Sequence, residues 1–218
     1  TDGEGVTIQP KNSQISPVEQ DYVLSSGVKQ VSMLVDPSAF TSGMADRLQA
    51  GLEAEGIAVN RFRITPGSAN YDAVIQEALA SNPGLVYVST YYPEGSAIAR
   101  SLAASGNPAQ RLMGLANVDP AFVRQAGLEV ARSCVFSGTP EASQLPTAKA
   151  YVKAYEKRFD RTPGVWGTFT YDSLKLLAQS MEEAGTTRFR PALNTLLQTR
   201  DVQGQTGTIS IDPLTGNR

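Results

Sequence analysis

The stretch NPGLVYVSTYYPE, residues 82–94, decides the fold class. Four consecutive apolar residues, 85–88, follow the helix-breaking residues 82–84. A run this short and continuous is typical of a parallel-sheet strand that is covered by helices on both faces. Pro93 and Glu94 suit the first turn of a helix, because proline fits that position and a carboxylate complements the helix dipole. The stretch therefore predicts a central strand followed by a helix.

The same strand–helix cycle recurs on both sides of this stretch. Further short apolar runs occur at 31–35, 57–64, 111–114 and 133–136. Between them, helices are predicted from about residue 42 to Gly56, over 70–81, from Pro93 to Gly106 and over 120–126. Strands that alternate with helices through short connections imply βαβ crossovers. Residues 25–140 are therefore predicted to form one complete α/β lobe with a doubly wound parallel sheet.

The rest of the chain does not continue this cycle. Residues 1–24 are rich in Gly, Pro and Ser and are predicted as a lead-in or crossover segment. Residues 141–218 are predicted as helices at 145–159, 168–184 and 191–199, with one strand at 208–211. Their apolar positions are predicted to face inward: Tyr151, Ala154, Tyr155, Leu174, Leu177, Ala178 and Met181. Three helices and one strand cannot build a covered sheet, so this part is predicted to be an incomplete, mainly helical second lobe that lacks a partner segment.

Composition excludes several classes of function. The 218 residues are 41% hydrophobic and 18% charged, as in an ordinary globular protein. A net charge of −2 gives no basic field for a nucleic acid. The chain has no histidine and one cysteine, Cys134, which argues against the common metal sites and nucleophilic dyads. An enzyme would have to use acids at the strand ends, where Asp36, Glu94 and Asp119 stand.

The ends of the predicted strands carry the candidate binding residues. In open α/β sheets, ligands bind in the crevice outside the carboxyl ends of the strands. Phe40 follows the first strand, Thr90 and Tyr91 follow the central one, and Ala116 and Asn117 follow the fourth. Small hydroxyl residues, helix N-termini and aromatic rings at one edge suit a small polar or zwitterionic solute with an apolar body.

The order of these motifs resembles one family. In the α/β lobe, the matching pieces are the strand that ends in Asp36 with Phe40 before Gly43, the run 89–94, and Gly106 with 111–114. In the tail, they are Tyr155, Pro163, Val165-Trp166, Thr170-Tyr171-Asp172, 204–207 and Asp212. With them, Val28–Pro140 and the tail Tyr151–Gly216 resemble the type I periplasmic binding proteins of branched-chain amino-acid (Leu/Ile/Val) ABC transporters.

The resemblance implies where the site lies and what the chain lacks. Such proteins hold the ligand between two similar lobes, and most of their first lobe has no counterpart here before Thr1. Phe40 and Tyr91 match aromatic wall residues of the family's site, and Ala116, beside Asn117, takes the place of a carboxylate that grips an α-ammonium. Trp166 is predicted either to stack on the ligand or to pack within or between the lobes. We expect weak or no measurable affinity for the chain alone.

The predicted function follows from this resemblance. The chain is predicted to be the substrate-binding component of an ABC importer, periplasmic or at the cell surface, which takes up an amino acid, an amide or an aromatic acid. Its partners would be the solute, a membrane permease and a chain segment that covers the incomplete lobe. No catalytic residue, cofactor or metal is predicted. The alternative is a ligand-sensing ectodomain of the same fold, and an enzyme on this scaffold is the third hypothesis.

Overall fold

The computed structural model describes residues 5–218. The chain divides into two compact units, Lys11–Thr139 on the one hand and residues 5–10 with Pro140–Arg218 on the other. It thus passes from one unit to the other at Pro10/Lys11 and again at Thr139/Pro140.

Lys11–Thr139 is a parallel α/β unit. Its elements in chain order are α1 (Asn12–Ser25), β1 (Gln30–Val35), α2 (Ala39–Ala54), β2 (Ala58–Arg63), α3 (Asp72–Ala80), β3 (Leu85–Ser89), α4 (Tyr92–Ala104), β4 (Gln110–Met113), α5 (Pro120–Ala126), α6 (Leu128–Arg132) and β5 (Val135–Phe136). The strands are ordered β2-β1-β3-β4-β5, and every neighbouring pair is parallel. This confirms the predicted doubly wound sheet.

Side chains of alternate strand residues point to opposite faces of the sheet and pack into two separate hydrophobic cores. On one face, Met33, Tyr87 and Leu112 pack with Val23 of α1 and Leu48 of α2. The opposite face carries other residues of the same strands, and its core joins them to α3, α4 and α5: Leu34, Val86, Val88, Met113, Ile75, Ile98 and Phe122. All five residues of β3 are buried, because this central strand is covered on both sides. That is why its sequence is a continuous apolar run.

The first helix extends the lobe beyond the predicted boundary at residue 25. The sequence pattern assigns no regular structure to 1–24, of which 1–4 lie outside the described residues, whereas α1 occupies Asn12–Ser25. It packs along α2, where the Gln20 side-chain amide donates to the carbonyl of Gly51 at 3.2 Å. The Tyr22 hydroxyl reaches the Gln110 side chain at the start of β4, at 3.1 Å. The helix is therefore an integral cover of the sheet.

The second unit is mainly helical, as predicted. It contains α7 (Lys149–Phe159), α8 (Gly167–Glu183), α9 (Phe189–Leu196) and the antiparallel hairpin β6 (Val202–Gly204) and β7 (Gly207–Ile209), after short 3-10 turns at Ala142–Gln144 and Pro146–Ala148. The sequence pattern predicts a single strand at 208–211 and misses β6. A small core of Ile8, Phe169, Leu176, Ile209 and Ile211 holds these elements together.

The predicted inward faces of α7 and α8 are wrong. Leu174 is 67% exposed and Leu177 38% exposed, Ala154 and Ala178 are also exposed, and α7 has no buried residue. The face of α8 that is buried instead carries Phe169, Asp172, Leu176 and Ser180. The physical reason is that no segment of the described part of this unit covers the more apolar face.

Candidate functional site

The strand order creates a crevice between β1 and β3. From β1 the chain crosses to β2 on one side, and β3 then adds on the other side of β1. At such a reversal the loops at the carboxyl ends of the two strands diverge, and this is where open α/β sheets bind ligands. The two loops here are residues 36–38 after β1 and residues 90–91 after β3, and each leads into the first turn of a helix.

The loop after β1 is fixed by a buried carboxylate. Asp36 is 2% exposed, and its Oδ1 accepts hydrogen bonds from the Ser38 backbone N–H at 2.8 Å and the Thr41 hydroxyl at 2.6 Å. The Ser89 hydroxyl at the end of β3 donates to the carbonyl of Thr41 at 2.8 Å. The first turn of α2 is therefore bonded to both strands that border the crevice.

Phe40 lies half-buried in this first turn of α2. Its backbone carbonyl accepts a hydrogen bond of 3.3 Å from the Asn12 side chain at the start of α1. The space beside this contact is narrow, since a Cβ on Gly43 would lie 3.2 Å from the Asn12 amide nitrogen. The aromatic ring that the sequence places at this edge thus sits on a well-bonded backbone.

The loop after β3 presents Tyr91 to solvent. Thr90 is fully buried, and its hydroxyl donates to the carbonyl of Tyr91 at 3.1 Å. Tyr91 is the residue before α4 and is 46% exposed, and no side chain caps that helix. An exposed ring beside free N–H groups at a helix start can contact both the apolar and the polar parts of a small solute.

Asn117 turns inward rather than toward the crevice. It is fully buried in the 3-10 turn Leu115–Asn117 after β4, and its amide donates to the carbonyls of Val88 at 3.0 Å and Gly114 at 3.1 Å. Its Oδ1 faces Gly95 of α4, where an added Cβ would be 1.7 Å away. Both amide hydrogens thus lock the ends of β3 and β4. Ala116, its neighbour, is only partly buried.

The three acids near the edge all accept a hydrogen bond from a backbone N–H. Asp36 caps its own loop, as described above. Glu94 accepts a hydrogen bond from the Gly67 N–H at 3.2 Å, and Asp119 begins α5 by accepting from the Ala121 N–H at 2.7 Å. Each carboxylate therefore already has a backbone donor within its own unit.

Trp166, the sixth predicted site residue, belongs to the other unit. It precedes α8, its ring centre lies 5.9 Å from that of Phe169, and it is partly buried. It also lines an open groove of about 710 Å³ between α7 and α8. Aromatic and aliphatic side chains dominate this groove: Tyr151, Tyr155, Phe159, Tyr171 and Leu174. Sequence analysis missed the groove because it assigned Tyr151, Tyr155 and Leu174 to a core.

A second feature that sequence analysis missed is a buried glutamate. Glu19 of α1 is 1% exposed and contacts the hydroxyls of Tyr87 and Ser137. The signal was present, since Ile15, Glu19 and Val23 recur at intervals of four and so share one helix face. That spacing places the carboxyl on the apolar side of α1.

The described residues show no site of some other kinds. Within residues 5–218, no group of three or more acidic, cysteine or histidine side chains could hold a metal ion. No helix in the same range has the length and apolar character needed to cross a membrane. Burial raises the pKa of the Cys134 thiol above its usual value, which disfavours the reactive thiolate.

Comparison with known proteins identifies relatives that match more than four-fifths of the chain. The chain is 28% identical over 193 residues to the Leu/Ile/Val-binding protein BraC3 of Rhizobium johnstonii, covering 86% of this chain and 51% of that protein. It is 26% identical over 180 residues to Leu/Ile/Val-binding protein homolog 3 of Brucella melitensis, covering 81% of this chain and 48% of that protein. The chain thus spans about half the length of these curated relatives.

A solved structure of a similar protein has the same fold. The branched-chain amino acid transporter substrate binding protein LivJ from Streptococcus pneumoniae, solved in complex with isoleucine, superimposes with a TM-score of 0.81 at 25% identity. The match covers 97% of this chain and 60% of LivJ. The family model described as "Periplasmic binding protein" matches residues 6–217, almost the entire sequence. The chain therefore belongs to the periplasmic binding protein family.

Proposed function

We propose that this chain is part of a solute-binding protein, which holds a small molecule without altering it. The observation that carries the proposal is the pair of aromatic residues at the crevice, with Phe40 on one side and Tyr91, 46% exposed, on the other. Family membership supports it, as do relatives named for binding Leu, Ile and Val. In this role the carboxyl end of the parallel sheet is one wall of the binding cleft.

The solute we propose is neutral or anionic. An amino acid carries an α-ammonium, and a buried cation without a partner costs several kcal/mol. The resemblance assigns the family's ammonium-binding carboxylate to Ala116, a methyl group here. The nearby acids Asp36, Glu94 and Asp119 are occupied by backbone donors. An amide or an aromatic acid fits such a wall better than leucine does.

The wider role we propose is uptake through an ABC transporter. The binding protein would deliver its solute to a membrane permease from the periplasm or the cell surface. LivJ, to which the chain is similar, is a transporter substrate binding protein. The chemistry at the crevice gives no support to an enzyme, since its acids accept hydrogen bonds from backbone N–H groups.

The uncovered groove of α7 and α8 suits the remaining part of such a protein. The relatives are about twice as long as their match with this chain, so a comparable length of polypeptide remains to cover the groove. We propose that this remaining polypeptide, in the same or a separate chain, packs on Tyr171 and Leu174. Supplying the unmatched half of BraC3 should then quench the binding of an apolar dye to the groove. A dimer of this chain in sedimentation, with the same quenching, would assign the groove to a second copy instead.

The binding proposal is tested by two-dimensional NMR titration of the chain, because chemical shifts detect millimolar affinity. The panel is leucine, isobutyramide and benzoate, each added to wild type and to Tyr91→Ala. Shifts at 38–41 and 89–92 with the amide or benzoate, lost in Tyr91→Ala, are expected. Phe189→Ala, which removes an exposed ring of the other unit, is the matched control and should bind as wild type does.

The proposed solute class has its own test. Ala116→Asp supplies a carboxylate at the partly exposed edge and should raise the affinity for leucine at least about tenfold while weakening that for benzoate. If wild type binds leucine tightly and Ala116→Asp does not change that affinity, the proposal of a neutral or anionic solute is refuted. Shifts confined to residues away from the crevice would refute the site itself.

A further inference from the structure

Glu19 is a buried acid that pairs with no cationic side chain among residues 5–218. It is 1% exposed, and neither of the ion pairs Arg61–Asp46 and Arg132–Glu129 involves it. Its carboxyl group instead accepts from two hydroxyls. The Tyr87 hydroxyl lies 3.1 and 3.2 Å from its two oxygens, and the Ser137 hydroxyl lies 2.5 Å from Oε1.

This cluster lies close to both points where the chain passes between its two units. The helix that carries Glu19 begins at Asn12, directly after the first crossing at Pro10/Lys11. Ser137 stands two residues before the second crossing at Thr139/Pro140. Through Tyr87 of β3, the carboxyl group joins these two segments to the centre of the sheet. Its hydrogen bond to Ser137 spans 118 positions of sequence.

The surroundings of Glu19 favour its neutral form. Burial raises the pKa of Glu19 from 4.5 to about 7, and the hydrogen bonds from Ser137 and Tyr87 offset only part of that rise. From α2, the polar contacts to the helix are two carbonyls: that of Gly51 accepts from the neutral Gln20 amide, and that of Phe40 accepts from the neutral Asn12 amide. From β3 the polar contact is Tyr87, whose own pKa is raised by burial and by Glu19. Tyr87 is thus the titratable group that faces the carboxyl, and it supplies no positive charge.

Two further hydroxyls show that the polar packing around this region is incomplete. Ser16, one turn before Glu19 on α1, is 5% exposed, and Thr139, two residues after Ser137, is 9% exposed. The side-chain oxygens of both are buried without a hydrogen-bond partner. The Ser137 N–H donates separately to the carbonyl of Met113 at the end of β4, at 3.0 Å. The direct polar contact between α1 and Ser137 is the hydrogen bond to the carboxyl of Glu19.

We propose that Glu19 is a proton-operated tie at the two chain crossings, which holds residues 137–139 against α1 and β3 when neutral and releases them when ionised. The tie is a property of the Lys11–Thr139 unit and goes beyond the proposed solute binding. It would make the local opening of residues 137–139 depend on pH.

The direction in which pH changes the stability follows from the linkage between proton binding by Glu19 and folding. A carboxyl whose pKa is higher in the folded than in the unfolded state binds more protons when folded, so its stabilising contribution is complete below about pH 4.5. That contribution is lost as pH rises from 4.5 to about 7. A difference of 2.5 between the two pKa values corresponds to about a 300-fold change in the opening equilibrium over this interval. Above pH 7 this contribution no longer changes.

The first experiment reads Glu19 directly in the wild-type chain. Carboxyl carbon chemical shifts from selectively labelled glutamate, followed from pH 4 to 9, give the midpoint of its titration. A midpoint between about 6 and 8 supports the tie, whereas one below about 5 overturns it. Because no substitution is needed, a variant that fails to fold cannot leave the proposal undecided.

The second experiment measures the local opening of residues 134–140. Amide hydrogen exchange at 134–140, corrected for the intrinsic effect of pH, should show opening that increases up to about 300-fold between pH 4.5 and 7.5 in wild type. Glu19→Gln keeps the size and the hydrogen-bonding capacity but cannot ionise, so its opening should stay constant. Asp21→Asn, which removes an exposed acid of the same helix, should behave as wild type does. Equal pH dependence in wild type and Glu19→Gln would refute the tie.

Discussion

Replacing Asn117 with alanine distinguishes a structural from a ligand-binding role for this residue. Sequence analysis places Asn117 among the ligand-binding residues, whereas the structure buries it completely and directs its amide at the carbonyls of Val88 and Gly114. We expect Asn117→Ala to destabilise the lobe before any ligand is added. Ala116→Ser, one position earlier and partly exposed, is the matched control and should leave stability unchanged.

The expected magnitude can be worked from the hydrogen bonds. Each of the two carbonyls retains a backbone donor in the variant, since Val88 also receives the Gly114 N–H at 2.9 Å and Gly114 receives the Asn117 N–H at 2.9 Å. Neither oxygen is therefore left unpaired, and the loss is about 1 kcal/mol per side-chain bond. Adding the small cavity left by the amide gives about 2–3 kcal/mol. Asn117→Asp should cost about 1 kcal/mol more, because a carboxyl oxygen would face both carbonyls.

The assay should read the lobe rather than the whole chain. The single tryptophan, Trp166, lies in the other unit, so its fluorescence does not report on this lobe. Amide hydrogen exchange at β3 and β4 against urea gives the free energy of opening of these strands. A change of less than about 0.5 kcal/mol in Asn117→Ala would refute the structural role. It would return Asn117 to the candidate ligand contacts.

Three further predictions concern other contacts of the structure. Asp172→Ala should destabilise the β6–β7 hairpin by about 3 kcal/mol, because the buried carboxylate accepts from two backbone N–H groups and a hydroxyl, each at 2.8 Å. Hydrogen exchange at 202–209 measures this loss. The control Glu183→Ala, at the exposed end of α8, should leave exchange at the hairpin unchanged. Gly95→Ala should lower the melting temperature by several degrees, since its Cβ would overlap an oxygen, whereas Gly164→Ala, with open space around it, should not. Leu174→Gln should reduce apolar dye binding by the chain without loss of stability, because this side chain is 67% exposed.

The α/β lobe could be predicted from the sequence because its signals are local. A strand that is buried on both faces must be apolar throughout, as 85–88 are. Gly56 and Gly106 end helices with φ of +75° and +66°, a conformation that favours glycine. Alternation of such strands and helices fixes the fold class before any tertiary contact is known.

The missed elements depend on tertiary contacts. The helix α1 has Pro17 within it and Glu19 on its buried face, so its amphipathic pattern is weak. The burial of Glu19 requires hydroxyls from β3 and from the end of β5, which no local pattern reveals. For α8, the periodicity correctly marks an apolar face but cannot show which face is covered. There the hydrogen bonds of Asp172 bury the more polar side.

The strand order determines the edge at which the candidate residues lie, but not the direction of their side chains. The carboxyl ends of parallel strands share one edge, so Phe40, Thr90, Tyr91, Ala116 and Asn117 could be assigned to that edge from the strand order alone. The direction of each side chain is a matter of rotamer and neighbouring carbonyls, which the sequence does not encode locally. That is why buried Asn117 and exposed Tyr91 look alike as sequence candidates, and why the contribution of each to binding stays a prediction.

The position of α1 has a consequence for synthesis on the ribosome. This helix leaves the exit tunnel before every strand of its lobe, yet its buried face is completed by Tyr87 and finally by Ser137. Strands β1 and β2 can pair as soon as they emerge, and the sheet then grows outward on the β3 side. Val23 can pack on β1 and α2 soon after they emerge, whereas Glu19 lacks its Ser137 partner until the last strand arrives, and this interval is when the nascent lobe would most need a chaperone.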